Sequence, residues 1–392
     1  MSEILALDRA YVAGTYKRFP VEILSGRGSL VYDGEGRRYI DMGSGIGVTA
    51  FGHADPQWVA AVTEQLARVS HTSNLYYTEP CARLAALLCE RCGMSKVFFG
   101  NSGAEANECA IKVARKYATE KRGLENPYII TLKNSFHGRT LTTLSATGQE
   151  HYHELFTPLT PGFLHAEAGN IEELVALLDA HPVAAVLLEV VQGEGGVIAL
   201  DAEYLRAVEA AVRERDVLLM VDEVQTGNGR SGMLYAYMTA GLTPDVVTTA
   251  KGLGGGLPIG ACLLSERVAD VLGPGDHGST FGGNPAASAG ALSVLTRLDD
   301  GFLSEVKRKS ERVFATLRGA RGIRSVSGLG LMIGVETVRP AAEVVSDCMA
   351  EGVLLLTAKT KVRLLPALNI DDAVLSEALS VLLTACAKGV EE

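Results

Sequence analysis

Six short apolar runs, separated by longer stretches of helical period, constrain this chain more than any other feature. The runs are KVFF (96–99), YIITL (128–132), AAVLLEV (184–190), VLLMVDE (217–223), DVVTTA (245–250) and GACLLS (260–265). Between them lie segments such as ANECAIKVARKYATEK, IEELVALLDA and DAEYLRAVEAAVRER, whose apolar positions recur at helical spacing. Strand–helix alternation of this kind calls for an α/β architecture, a mostly parallel sheet sandwiched by helices. With 392 residues the chain exceeds one ordinary core. Beyond about residue 290 the texture changes to longer helical segments followed by short strands near GLGLMIGVE and VRLLPAL. The expected organisation is a large domain at 51–290 and a smaller α+β domain at 291–392. Residues 1–50, in which SGRGSLVYDGEGRRYIDM reads as a hairpin, pack with the smaller domain.

In a sheet of this type the ligand sits beyond the carboxyl ends of the strands, and the chemistry-bearing residues fall there. Lys251 follows an apolar run and opens a glycine-rich loop, with no charged neighbour from Val246 to Leu264. A desolvated lysine of this kind has a lowered pKa and a usable free amine. Asp222 closes another apolar run, with Gln225 three residues on. An amine able to form a Schiff base, with a carboxylate to keep a pyridine nitrogen protonated, is what pyridoxal-phosphate chemistry requires. Gln225 is suited to donate to the phenolate oxygen of such a ring. Ser102, Gly103 and Ala104 open a helix after KVFFG, where free backbone N–H groups suit phosphate. Ser102 with Glu105 also reads as a capping box, and the two roles are compatible. In NSFHGRT, Phe136 offers a face for a pyridine ring and Arg139 a planar fork for a carboxylate. His137 stacks or fills space, and filling space is the simpler expectation. Glu223 reads as structural.

Other chemistries lack a foothold. The net charge of −10, with no long Lys/Arg run, argues against nucleic acid or an anionic membrane as a main partner. GLGLMIG (328–334) has no preceding strand or following helix with a distant acid, so it is not a dinucleotide loop. No GxxxxGK[ST] or HExxH motif occurs, and no metal is expected. The seven cysteines include one CxxC, Cys89 and Cys92, on an amphipathic helical run, and are expected to be structural thiols in a reducing cytoplasm. No signal-peptide pattern and no membrane-spanning stretch is visible.

Taken together, NSGAEANE, SFHGRT, QGEGG, DEVQTGNGR, AKGLGGGLPIGA and HGSTFGGNP make the chain resemble the class III (subgroup II) pyridoxal-phosphate aminotransferases over nearly its whole length. The resemblance implies the type I pyridoxal-phosphate transferase fold and pyridoxal 5'-phosphate as cofactor. Lys251 is then the Schiff-base lysine, Asp222 the partner of the pyridine nitrogen and Gln225 that of the phenolic oxygen. Phe136 stacks on the ring, and Ser102, Gly103 and Ala104 bind phosphate. It also implies a homodimer with shared active sites, in which Thr280 reaches the neighbouring subunit's phosphate and Ser279 lies near the substrate. Arg139 would hold a distal substrate carboxylate, and Arg363 the α-carboxylate of 2-oxoglutarate, with Glu194 pairing to Arg363 and swinging aside. Ile46, where enzymes using free ornithine carry tyrosine, points to N2-acetylornithine as donor, in arginine biosynthesis. Succinylornithine, ornithine, 4-aminobutyrate and N-succinyl-diaminopimelate remain alternatives. Two positions depart from the family pattern: Val190 where a proline is usual, and Ala250 where a serine is common.

Overall fold

Glycine turns fold the first ordered strands back on each other. The computed structural model describes residues 3–390. β1 (Ile23–Arg27), β2 (Leu30–Asp33) and β3 (Arg38–Asp41) form an antiparallel meander, one strand more than the expected hairpin. Gly28 closes the first turn at φ 58°, a conformation glycine adopts without steric cost. Asp33 organises the second turn, its Oδ1 accepting from the backbone N–H groups of Glu35 and Arg37.

The large sheet follows. Its strands are β4 (Lys96–Gly100), β5 (Tyr128–Leu132), β6 (Phe163–Ala166), β7 (Val183–Leu188), β10 (Leu218–Asp222), β11 (Val246–Thr249) and β12 (Gly260–Leu264). A short ribbon of β8 (Val191–Gln192) and β9 (Ile198–Ala199) stands apart from it. The spatial order is β4-β12-β11-β10-β7-β5-β6. Only β12 runs antiparallel to its neighbours, so the sheet is mostly parallel, as the alternation of elements requires. β7 and β10 are buried along their whole length because both faces are covered. Ala185, Leu187, Leu218 and Met220 pack with the helix Gly103–Arg122, while Val186, Leu188, Leu219 and Val221 join the opposite cluster. That helix lies close to the sheet because Ala106, Ala110, Ala114 and Ala118 form its inward stripe. Edge strand β6 was not expected: FLHA is short, carries a histidine and is only half-buried, so it lacks the apolar signature of a central strand.

The remaining strands build a smaller layer. β13 (Ile323–Leu329), β14 (Met332–Thr337), β16 (Leu356–Ala358) and β17 (Lys361–Leu364) form an antiparallel sheet ordered β13-β14-β17-β16. GLGLMIG is the tight connection between β13 and β14. β15 (Val353–Leu354) pairs in parallel with β3, Val353 opposite Ile40, which joins the N-terminal meander to the C-terminal part of the chain. Among the described residues no helix is long and apolar enough to cross a membrane.

Candidate active site

The strand ends meet at one rim. Register sets Asp222 at the end of β10 opposite Thr248 near the end of β11, and Gly260 at the start of β12 opposite Gly100 at the end of β4. Lys251 comes two residues after β11 and adopts φ 44°, a left-handed conformation that costs a non-glycine residue of order 1–3 kcal/mol and is characteristic of functional positions. A cavity of about 620 Å³ opens here, lined among others by Lys251, Asp222, Phe136, Arg139, Gln225 and Tyr16. Ser102, Gly103 and Ala104, at the N-terminus of Gly103–Arg122, line it as well.

Asp222 is 3% exposed yet well partnered. Asn107 Nδ2 donates to its Oδ2 at 2.8 Å, His137 Nδ1 lies 2.8 Å from the same oxygen, and the Val224 N–H donates to Oδ1 at 3.0 Å. Asn107 is itself fixed, accepting from Thr248 Oγ1 at 2.7 Å and donating to the His137 carbonyl at 2.8 Å. A carboxylate offers about four lone-pair sites. With three engaged, Oδ1 retains one for a cationic ring N–H. His137 therefore does more than fill space: it orients Asp222, and its own Nε2 is buried without a partner among the described residues.

Burial lowers the pKa of the Lys251 amine, against the pull of the nearby Glu194 and Asp222 carboxylates. Glu189, 5% exposed, lines the same cavity and accepts from the N–H groups of Phe136 at 3.0 Å and Gly193 at 3.4 Å. Burial, and then the charge on Asp222, push its carboxyl well above the usual range. Next to Gln225, Arg363 of β17, 4% exposed, meets Glu194 with Nη1 2.5 Å from Oε1. Gln225 bridges the pair, donating to Glu194 at 3.3 Å and accepting from Arg363 at 3.4 Å. Burial works to raise the Glu194 carboxyl, but the guanidinium outweighs it and holds the net value below the usual range. Arg139 is exposed, its guanidinium 4.4 Å from the Tyr152 ring centre and 5.5 Å from that of Phe136.

Ser279 and Thr280 lie elsewhere, in a separate cavity of about 390 Å³ that also contains Asn74, Tyr77 and Phe99. Ser279 Oγ accepts from Asn101 Nδ2 at 3.1 Å, and Asn101 borders the Lys251 cavity; Thr280 is exposed. Within one chain Thr280 does not reach the Lys251 cavity. Of the two departures from pattern, Ala250 lines the cavity and accepts from Asn228 at 3.1 Å. Val190 is buried, its carbonyl accepting from the Leu200 N–H at 2.9 Å, a bond a proline there would also accept.

Sequence reasoning missed Asn107, Glu189, Tyr152 and Tyr16. Asn107 carried a signal, since a poor helix former stands three residues after Ala104 inside a helical run. Glu189 carried the same signal as Asp222, an acid ending a buried strand. Tyr16 carried none.

The donor set suits pyridoxal phosphate: an amine, an opposed carboxylate with a spare lone pair, an aromatic face, and a helix N-terminus share one cavity. Comparisons with known proteins agree. The family model described as "Aminotransferase class-III" matches residues 11–386. The acetylornithine aminotransferase of Haemophilus ducreyi is 52% identical over 382 residues, covering 97% of each chain. An ornithine aminotransferase structure from Toxoplasma gondii, with pyridoxal phosphate at partial occupancy in its active site, superposes with a TM-score of 0.93. It is 33% identical and covers 98% of this chain and 94% of its own. The N-acetylornithine aminotransferase of Stenotrophomonas maltophilia gives a TM-score of 0.84 at 35% identity, covering 98% of both chains.

Proposed function

Because the chain belongs to the class III aminotransferases, which work with pyridoxal 5'-phosphate, we propose that it transfers the terminal amino group of N2-acetylornithine to 2-oxoglutarate. The products are N-acetylglutamate semialdehyde and glutamate, which fits a step of arginine biosynthesis. When bound, the cofactor supplies a carbonyl carbon that takes up and returns the amino group, and a ring that withdraws electrons while its nitrogen stays protonated. Ser102, Gly103 and Ala104 would hold its phosphate, Phe136 its ring face and Gln225 its phenolic oxygen.

The chain's own contribution follows from the environments of its side chains. Asp222 would keep a proton on the ring nitrogen through its remaining lone pair, with Asn107 and His137 fixing its orientation. Lys251 Nζ would take the proton from the amine-bearing carbon of the donor and deliver it to the cofactor's carbonyl carbon, and would carry a proton the opposite way in the second half-reaction. Burial, by lowering its pKa, favours the free-amine form that this transfer needs. General acid–base transfer of this kind contributes roughly 10²–10⁴-fold. Arg139 binds the donor's distal carboxylate while Glu194 covers Arg363. In the second half-reaction Glu194 moves off, and Arg363 binds the α-carboxylate of 2-oxoglutarate.

The observation that carries this reading is the unequal state of the two arginines. Arg363 is closed by Glu194, whereas Arg139 makes no hydrogen bond or ion pair with any described residue. A site that alternates between a donor with a distant carboxylate and a 2-oxo acid needs one receptor of each kind. The test is a panel of amine donors with 2-oxoglutarate. Acetylornithine is expected to exceed ornithine at least about tenfold in kcat/KM, a difference of 1.4 kcal/mol. A preference for succinylornithine, ornithine, 4-aminobutyrate or N-succinyl-diaminopimelate would replace the donor but keep the family.

The homodimer with shared sites belongs to this reading, supported by the position of Thr280 outside its own chain's cavity. So does a cytoplasmic location, supported by seven cysteines present as free thiols. So too does the division into a cofactor domain at 51–290 and a smaller unit of 1–50 with 291–392, supported by the pairing of β3 with β15.

A further inference from the structure

Most arginines near the sheet are anchored through their N–H groups: Arg91 donates to the Leu295 carbonyl, Arg297 to Asp55 and Arg363 to Glu194. Arg139 differs. Its guanidinium rests on the Tyr152 ring at 4.4 Å, with Phe136 at 5.5 Å, and it makes no hydrogen bond or ion pair among the described residues. A guanidinium carries its five donors in the plane and its face free for stacking. Support through the face therefore consumes none of the donors a ligand needs.

The platform itself is fixed. Tyr152 ends a short turn, Glu150–Tyr152, in which its N–H donates to the Gln149 carbonyl at 3.1 Å. Buried Gln149 donates to the Ser135 carbonyl at 3.0 Å on one side, and His153 Nε2 lies 2.8 Å from the Leu144 carbonyl on the other. The His151 ring lies 3.9 Å from the Tyr152 ring, and Phe136 meets Tyr152 edge-on at 5.8 Å.

We propose that Tyr152 is a positioning residue for the donor's distal carboxylate: its ring carries Arg139 by the face and leaves the guanidinium edge open to that carboxylate. The inference rests on Arg139 being the receptor for that group. Holding a flexible arginine in place before the ligand arrives lowers the ordering cost of binding.

The test uses the holoenzyme with Y152L, Y152M, Y152F and Y152W, alongside R139A. Calorimetry measures binding of N-acetylnorvaline, an unreactive donor analogue with the carboxylate and no terminal amine. Kinetics compare N2-acetylornithine with N-acetyl-1,4-diaminobutane, which lacks the carboxylate. Y152L and Y152M are expected to weaken the analogue and raise KM for acetylornithine about 3- to 10-fold. Their kcat should stay within about twofold, and the carboxylate-free amine should be unaffected. Y152F and Y152W, which keep an aromatic face, restore binding, and this rescue is decisive even if one aliphatic variant fails to fold. Equal impairment of Y152F and Y152L would overturn the proposal by implicating the hydroxyl, as would equal losses on both amines or unaltered binding in Y152L. If R139A spares carboxylate binding, the reading of Arg139 itself fails. If R139A loses it selectively while Y152L does not, only the role of Tyr152 fails.

Discussion

A buried guanidinium with a single acidic partner is the most sensitive feature of this site. Arg363 is 4% exposed and its Nε has no partner among the described residues, so Glu194 carries nearly all of its compensation. Removing one partner of a buried pair is worth about 3–5 kcal/mol because it leaves an uncompensated charge. In Glu194→Ala the unpaired Arg363 would compete with Arg139 for the donor's carboxylate and draw the donor in backwards. Single-turnover measurements are expected to show the donor half-reaction falling at least about tenfold in rate constant over dissociation constant. The 2-oxoglutarate half should stay within about threefold. Equal effects on both halves would reduce Glu194 to a structural ion-pair partner. Lys251, Asp222 and Gln225 stood out in the sequence because each interrupts or follows an apolar run, where a polar side chain needs a reason. Asn107 and the orienting role of His137 did not, because their work is done on a group distant in the chain: Asn107 reaches Asp222 across 115 positions and His137 across 85. Local pattern cannot report a partner of that kind.

At the level of elements, Glu223 ties the end of β10 to the short helix Tyr237–Ala240. Its Oε1 accepts from the Tyr237 N–H at 2.7 Å and its Oε2 from Thr226 at 2.5 Å. Burial pushes this carboxyl up to about 7 from an ordinary 4.5, against the hydrogen bonds from Thr226 and Tyr237. Between those values the folded chain holds a proton that the unfolded chain has released, so stability falls as pH rises. The contribution is fully present below about pH 4.5 and is lost as pH passes about 7. Glu223→Gln imitates the protonated form and should flatten the decline of melting temperature across this window. An unchanged slope would assign the decline to other groups. The strands themselves were legible, because fully covered parallel strands must be continuous apolar runs. The reversed direction of β12 was not, since an apolar run reads alike from either end. Nor was the turn at 44–47, where Ser44, Gly45, Ile46 and Gly47 all take positive φ, from 47° to 74°. Asp41 holds its start by accepting from the N–H groups of Gly43 and Ser44, and nothing in GSGIG alone requires a β-branched residue to turn left-handed.

The surface around Thr280 bears on the whole molecule. Leu75, Tyr76 and Tyr77 are 86%, 71% and 105% exposed, and Phe281 is 58% exposed, an apolar concentration of the kind that marks a protein interface. A two-fold dimer would cover this face on both chains at once and bring Thr280 of one subunit toward the other's cavity. Sharing of this kind has a consequence that a self-contained site lacks. Lys251→Ala removes the amine and Thr280→Asp opposes a phosphate, so each homodimer should be inactive or nearly so. Co-expressed, they also form a mixed dimer in which the Thr280→Asp subunit contributes an intact Lys251 and its neighbour an intact Thr280. One of the two sites is then whole. With random assortment half the dimers are mixed, and the preparation should show about a quarter of wild-type activity. Sedimentation at twice 41.4 kDa for each variant ensures that lost activity does not reflect lost assembly. If Thr280 instead served its own subunit, the mixed dimer would pair one site lacking the amine with one carrying the aspartate, and no activity would return.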